Sequence, residues 1–146
     1  MKFIDVNAPI IPYYGLGNIQ LGRNIKEFYD ILKETLKSPQ LIGKFLITYE
    51  IDNILNLCFN INNGKLVRIT ALKNYKGKLF NNIYIGMDMK EVLKIDKSFV
   101  YDDIEEGYEN EDGGVYIESD AQTEEIVCIS VFLREIENPG HEKGDW

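Results

Sequence analysis

Apolar and polar residues alternate along several short stretches of this chain. Lys44 to Glu50 alternates through three large apolar side chains, and the stretches Ile54 to Ile61 and Leu66 to Leu72 lie on either side of Asn62-Asn63-Gly64. A period of two residues is the pattern of a half-buried β-strand, and an Asn-Gly pair between two such stretches is a strong hairpin signal. The pattern therefore predicts a strand followed by a β-hairpin.

A second hairpin is predicted nearer the carboxyl end of the chain. Val115 to Ser119 and Glu125 to Phe132 again alternate, and they flank the turn-forming residues Asp120-Ala121-Gln122-Thr123. Turn residues between two alternating stretches predict antiparallel pairing. Ile117 and Ile129 have the same 12-residue spacing as two apolar residues of the first hairpin, Leu57 and Ile69.

A short strand and a helix are predicted before each hairpin. The stretch from Asn18 to Phe28 resembles the stretch from Asn82 to Val92, with an offset of 64 residues. In each copy an apolar pair is followed by Gly and then by an N-cap residue, which is Asn24 or Asp88. A Glu at the third helical position after each cap, Glu27 or Glu91, completes a capping box.

The apolar residues after each cap predict the lengths of the helices. The first helix has an apolar stripe at helical spacing and is expected to end before Pro39. The second helix begins in the same way with Met89, Val92 and Leu93, but Asp96 stands where the first helix has Leu32. We therefore expect the second helix to be shorter. The first stripe comprises Ile25, Phe28, Tyr29, Leu32 and Leu36.

These elements predict an α+β fold. Two strand-helix-hairpin repeats, at about 18–72 and 82–136, are expected to give an antiparallel sheet with two helices on one face. Chance is the alternative explanation of the repeat, because capping boxes and hairpins are common. A chain of 146 residues is long enough for one domain, expected over 1–137, with an opening strand at Lys2 to Val6. The polar, glycine-containing residues 138–146 are expected to form a mobile tail.

Charge is distributed very unevenly along the chain. Residues 1–97 carry 14 basic and 9 acidic side chains, whereas residues 98–146 carry 2 and 15, which together give the net charge of −8. Not one Lys or Arg occurs between Ser98 and Leu133, a stretch that holds eleven carboxylates. Such a surface attracts a positively charged partner and repels nucleic acid.

The predicted partner-binding residues lie in this acidic stretch. Tyrosines beside carboxylates are suitable interface anchors, because they bury a large area and keep a polar group. Ordinary packing in the sheet is the alternative role for the tyrosines. The predicted set is Tyr101, Asp102, Asp103, Glu105, Glu106, Tyr108, Glu109, Glu111, Asp112, Glu118 and Asp120.

No catalytic, cofactor-binding or metal-binding residues are predicted. Glu118 and Asp120 have the two-residue spacing of a carboxylate pair that could act as general acid and base, but a solvated strand face is the favoured explanation of this pair. The spacing of an EF-hand loop is absent, and Cys58, Cys128 and His141 lack the spacing of a zinc site. No long apolar segment or signal peptide is recognisable, so the chain is expected to be cytoplasmic without a membrane partner.

Two stretches resemble a known class of protein. They are YKGKLFNNIYIGMDMKEVLKIDKSFVYDDIEEGY, from Tyr75 to Tyr108, and GGVYIESDAQTEEIVCISVFLREI, from Gly113 to Ile136. They are similar to small immunity proteins of bacterial contact-dependent growth inhibition and related polymorphic toxin systems. The resemblance implies a cytoplasmic inhibitor, not an enzyme, that binds and blocks a cognate toxin domain, often a nuclease with a basic active site. It transfers no particular contact residue.

Two other functions are compatible with the sequence. Strand-helix-hairpin repeats also resemble small envelope assembly proteins, which suggests a structural or adaptor module. An enzyme that uses only carboxylates is the third hypothesis, and it would depend on Glu118 and Asp120. The expected cytoplasmic location weighs against the adaptor hypothesis, and the absence of a recognisable catalytic site weighs against the enzyme hypothesis.

Overall fold

The computed structural model describes residues 4–35 and 37–146. Its main feature is an eight-stranded antiparallel sheet with strand order β3-β4-β5-β6-β10-β9-β8-β7, preceded by a small hairpin of β1 and β2. The predicted α+β class is confirmed, because the fold is mostly antiparallel sheet with few helices. The strands are β1 (Gly15–Leu16), β2 (Ile19–Gln20), β3 (Gln40–Ile42), β4 (Leu46–Ile51), β5 (Leu55–Asn60), β6 (Leu66–Ala71), β7 (Phe99–Asp102), β8 (Gly107–Asn110), β9 (Val115–Ser119) and β10 (Ile126–Phe132).

The large sheet consists of two groups of four strands that follow one another in the chain. Strands β3 to β6 form one antiparallel meander, and strands β7 to β10 form the other. The two meanders join where β6 pairs with β10, with Ala71 opposite Ile129 and Arg68 opposite Phe132. Each half of the sheet is therefore built from one half of the sequence.

The helices are short and begin at the predicted caps. A 3₁₀ turn at Ile25–Phe28 leads into α1 (Tyr29–Leu32), and α2 spans Met89–Ile95. The Asn24 side chain accepts a hydrogen bond from Lys26 N at 3.0 Å, and the Glu27 carboxylate accepts one from Asn24 N at 3.2 Å. This reciprocal pair is the predicted capping box.

The second cap is simpler than predicted. The Asp88 carboxylate accepts a hydrogen bond from Lys90 N at 2.9 Å, whereas Glu91 forms an ion pair with Lys94 at 3.4 Å. Both partners of this pair are largely exposed, so the pair adds little stability.

The two helical segments are similar in length. The first has four 3₁₀ residues followed by four α-helical residues and ends at Leu32, whereas α2 has seven α-helical residues. The Thr35 hydroxyl donates a hydrogen bond to Leu32 O at 3.0 Å and occupies the carbonyl that a further helical turn would use. Leu36 lies outside the described residues. In the predicted opening strand, Lys2 and Phe3 also lie outside the described residues. Residues 4–6 do not form a strand.

The hydrophobic core covers one face of the sheet. Helical residues Phe28, Met89 and Val92 belong to the same buried cluster as the inward residues of the central strands. Alternate residues point to opposite faces of a strand, so the remaining residues of these strands form a second face away from the core. The inward strand residues include Leu55, Leu57, Phe59, Ile69, Ala71, Val115, Ile117, Ile129 and Val131.

The C-terminal residues, for which the sequence predicts mobility, lie against the turn between β5 and β6. Asn62 Nδ2 donates to Glu142 O at 2.8 Å, and Lys65 Nζ donates to Trp146 O at 2.7 Å. The Lys65 ammonium also lies over the Trp146 ring, 4.9 Å from its centroid. His141 is half-buried and packs edge-on against Phe45. These contacts connect the C-terminal residues to the first hairpin.

Candidate functional site

The acidic stretch of the sequence forms one half of the sheet. Strands β7 to β10 and their turns contain no Lys or Arg, whereas β6 carries Arg68 and is preceded by Lys65. The uneven distribution of charge along the chain therefore becomes a charge difference between the two halves of the sheet. Such a difference gives the acidic half a negative potential that acts beyond direct contact.

The turn between β7 and β8 displays the densest group of carboxylates. Asp102 organises the turn, because its carboxylate accepts hydrogen bonds from Ile104 N at 2.9 Å and Glu105 N at 3.3 Å. Asp103, Glu105 and Glu106 are exposed around it. Ile104, at the apex, is 87% exposed and was not predicted as a contact residue. The turn thus presents one large apolar side chain surrounded by carboxylates.

The turn between β9 and β10 adds Asp120 to the same end of the sheet. In an antiparallel meander every second turn lies at the same end, so this turn and the β7–β8 turn are neighbours. The Asp120 carboxylate accepts hydrogen bonds from Gln122 N at 2.8 Å and Thr123 N at 2.9 Å. Those bonds from Thr123 and Gln122 lower the pKa of Asp120. We call the two turns together, residues 102–106 and 120–124, the acidic end.

Two predicted residues lie at the opposite end of the sheet. Glu111 and Asp112 belong to the β8–β9 turn, which packs against Tyr13 at Gly113. The Tyr13 hydroxyl donates a hydrogen bond to Glu137 there, which raises the pKa of Tyr13. The structure therefore separates Glu111 and Asp112 from the acidic end.

The two predicted tyrosines lie on the core side of the sheet, near its edge. Tyr101 and Tyr108 are opposite each other in β7 and β8, with ring centroids 5.1 Å apart. Tyr108 packs against the core, whereas Tyr101 is 53% exposed. Glu109 and Glu118 point to the other face. Only Tyr101 of this pair offers a large exposed aromatic surface to a partner.

None of the nine predicted carboxylates forms an ion pair with any residue in 4–35 or 37–146. The ion pairs of those residues involve other acidic groups, such as Glu27 with Arg23 at 3.0 Å and Glu124 with Lys90 at 2.9 Å. Carboxylates without a counter-ion repel one another. Ion pairs within the described chain therefore leave the charge of these nine carboxylates uncompensated.

An open groove of about 800 Å³ lies on the sheet face away from the core. Arg68, Thr70 and Ser130 line it, and the hydroxyls of Thr70 and Ser130 form a hydrogen bond at 2.8 Å. Carboxylates line the same groove on the acidic side, and we call them the acidic wall. The acidic wall comprises Glu105, Glu109 and Glu118. A fourth carboxylate, Glu137, lines the groove near Gly113, where it accepts the hydrogen bond from Tyr13.

Tyr116 lies across the groove-facing surface of β8. Its ring covers Gly107, where an added Cβ would lie 2.4 Å from the Tyr116 hydroxyl oxygen. That oxygen is buried and has no hydrogen-bond partner among the described residues. Burial, and then the nearby carboxylates of Glu118, Asp102 and others, raise the pKa of Tyr116 to about 12. The hydroxyl consequently stays protonated well above the pH at which an ordinary tyrosine ionises.

Two free thiols are found on the same face. Cys128 Sγ donates to the Glu118 carboxylate at 3.3 Å, and burial followed by Glu118 raises the pKa of Cys128 to about 12. Burial also raises the pKa of Cys58, although the neighbouring Arg68 opposes this effect. Both thiols are therefore protonated and weakly nucleophilic at neutral pH.

Neither a metal cluster nor a membrane-crossing helix is found in the described part of the chain. No three His, Cys, Asp or Glu side chains there are grouped so as to hold a metal ion. The helices there are also too short or too polar to cross a membrane.

Comparison with known proteins shows a likeness in fold. No protein-family model matches the chain, and no curated protein matches it. Among solved structures, the crystal structure of a cysteine-rich secretory protein from Staphylococcus aureus is similar, with a TM-score of 0.50 and 14% sequence identity. The match covers 93% of this chain and 52% of that chain. This chain therefore spans about half the length of a protein with which it shares a fold at low sequence identity.

Proposed function

We propose that this protein is a non-catalytic inhibitor that binds a basic toxin domain through its acidic end. The observation that carries the proposal is that the nine predicted contact carboxylates lack a counter-ion within the described chain. A partner that supplies positive charge would relieve their mutual repulsion. The resemblance of Tyr75 to Tyr108 and Gly113 to Ile136 to bacterial immunity proteins supports the same function.

Charge and apolar surface would have different roles in such a complex. The carboxylates would accelerate encounter with a basic surface and select against acidic partners. Ile104, 87% exposed at the apex of the β7–β8 turn, and Tyr101, 53% exposed beside it, would supply the desolvated centre of the contact. A nuclease is the favoured target class, because its nucleic-acid groove is basic. The inhibitor would act in the cytoplasm, where such a toxin reaches nucleic acid.

We further propose that the two halves of the fold are copies of one unit, with both helices on the core face of the sheet. Equivalent backbone hydrogen bonds support this interpretation. Gly22 N donates to Leu66 O at 2.8 Å, and Gly86 N donates to Ile126 O at 2.8 Å. In each copy the bond joins the glycine before the helix cap to the first residue of the last strand. The symmetrical strand order supports the same proposal.

A pull-down with this protein as bait would test the proposed function. The prey is the protein encoded immediately upstream, because immunity genes of the systems that this chain resembles lie directly downstream of their toxins. We expect a one-to-one complex with a basic domain, weaker capture at high salt, and loss of toxin activity in the complex.

Failure to capture the prey at low salt would contradict the inhibitor function and favour an adaptor module. A complex that leaves the toxin fully active would contradict inhibition while retaining binding.

A further inference from the structure

Arg68 is the cationic group of the groove. It lies on the central strand β6, facing away from the core, and is only partly exposed. It forms no ion pair with any carboxylate of the described chain, and its buried Nε–H has no acceptor there. A buried donor on a charged group is costly to leave without an acceptor. An anionic oxygen on a ligand would stabilise this guanidinium.

The acidic wall gives the other side of the groove the opposite preference. Glu105, Glu109 and Glu118 line it, and none of them has a cationic partner within the described residues. Phosphate or nucleic acid would meet these three carboxylates and be repelled. A purely cationic ligand would leave Arg68 without an anion. Only a ligand with an anionic end and a cationic end matches both sides.

The register of the strands sets the separation of the two ends. Thr70, Ser130, Tyr116 and Glu109 are consecutive cross-strand partners from β6 to β8. Three strand spacings correspond to about 14 Å. An extended polypeptide covers about 3.3–3.6 Å per residue, so four residues span this row. Arg68 lies two residues from Thr70 on the same face.

From this geometry we infer that the groove binds the carboxy-terminal segment of a polypeptide, with the terminal carboxylate on Arg68 and a basic side chain three residues earlier on the acidic wall. The hydroxyls of Thr70 and Ser130, on the floor between the two ends, would hydrogen-bond the peptide backbone. A guanidinium can bind both oxygens of a carboxylate at once, which favours a free terminus over a neutral amide.

This site differs from the proposed toxin contact, although the two share Glu105. The acidic end is at the turns, whereas the groove is centred on β6 and β10, and Asp103 and Glu106 do not line it. Failure of peptide binding would therefore leave the inhibitor function intact. Conversely, a groove that binds peptide would be established even if no toxin is captured.

The test is a titration of the isotopically labelled full chain with acetyl-Lys-Ala-Ala-Ala, followed by NMR. Two matched probes are the same peptide with a carboxy-terminal amide and the same peptide with Gln in place of Lys. We expect backbone shifts at Thr70, Ser130 and Tyr116, and each matched probe should bind about tenfold more weakly or worse.

Protein variants assign the two ends of the ligand. Arg68→Gln should remove the preference for the peptide with a free carboxylate over the peptide amide. Glu118→Gln should reduce the preference for the Lys peptide over the Gln peptide, and it keeps an acceptor for the Cys128 thiol. Arg23→Gln, outside the groove, should retain wild-type binding. If Arg68→Gln does not fold, the three probes on the wild-type chain decide the question.

Two results would overturn the inference. One is equal binding of the acid and the amide, because Arg68 would then have no role. The other is the absence of shifts in groove residues up to the solubility limit of the acid peptide.

Discussion

Gly107→Ala tests the packing that forms the acidic side of the groove. Gly107 is in the regular strand β8, so alanine is not excluded by its backbone conformation. The obstacle is Tyr116, because the new Cβ would lie 2.4 Å from both the hydroxyl oxygen and Cζ of that side chain. Real Cβ contacts do not reach this distance, so the ring or the strand must move.

The expected cost follows from the size of this overlap. Inserting one methyl group into a well-packed site typically destabilises a protein by about 1–3 kcal/mol. For a chain of this length that corresponds to a melting temperature lower by about 3–10 °C. Thermal and urea unfolding of Gly107→Ala, followed by circular dichroism, would measure both quantities.

A double-mutant cycle identifies the cause. Tyr116→Leu removes the distal ring atoms that overlap the new Cβ, so Gly107→Ala should no longer destabilise the protein in that background. A gain of a few tenths of a kcal/mol is expected there, because alanine restricts the unfolded chain more than glycine does. An equal cost of Gly107→Ala in both backgrounds would refute the proposed contact with Tyr116.

Three further predictions concern titration and capping. The pKa of Cys128 is raised from 9.0 to about 12, so the stability that the protonated thiol contributes is complete below pH 9 and is lost as the pH rises through 12. Urea unfolding should show a smaller alkaline loss of stability for Cys128→Ala than for the wild type. An unchanged pH profile would contradict this prediction. The pKa of Asp120 is lowered below 3.8, so the stability that the ionised carboxylate contributes is present above that pH and is lost as the pH falls further. Asp120→Asn should therefore flatten the acid side of the plot of stability against pH. An unaltered slope would count against the turn geometry. Asn24→Ala should destabilise the chain by about 1 kcal/mol because it removes a cap, with no effect on peptide binding in the groove; an unchanged unfolding midpoint would show that this cap is dispensable.

Local patterns predicted the hairpins because their signals lie within a few consecutive residues. Val115 to Ser119 was predicted with the boundaries of β9, and Asn62-Asn63-Gly64 forms the turn between β5 and β6. The edge strands were not predicted. β3 is exposed along its whole length, and β7 has only four residues, so neither shows a clear alternation.

The groove could not be predicted from the sequence because pairing of distant strands creates it. Thr70 and Ser130 are 60 residues apart and meet only because β6 pairs with β10. The available signal was a charged residue, Arg68, in an otherwise mostly apolar strand. The acidic character of residues 98–133 could be predicted from composition. Which carboxylates are neighbours depends on the positions of the turns, and the turns separate Glu111 and Asp112 from the other carboxylates.

The most direct test of the central claim is the association rate of the captured toxin domain with three forms of this protein, measured by stopped flow at low and high salt. The wild type is compared with Asp103→Lys/Glu106→Lys and with a matched control, Glu34→Lys/Asp145→Lys, which changes the net charge equally at exposed sites outside the acidic end. We predict that the acidic-end variant associates about tenfold more slowly or worse at low salt, that this difference shrinks at high salt, and that the control slows much less. Equal rates for the two variants would contradict the account, because overall charge and not the acidic end would then govern binding.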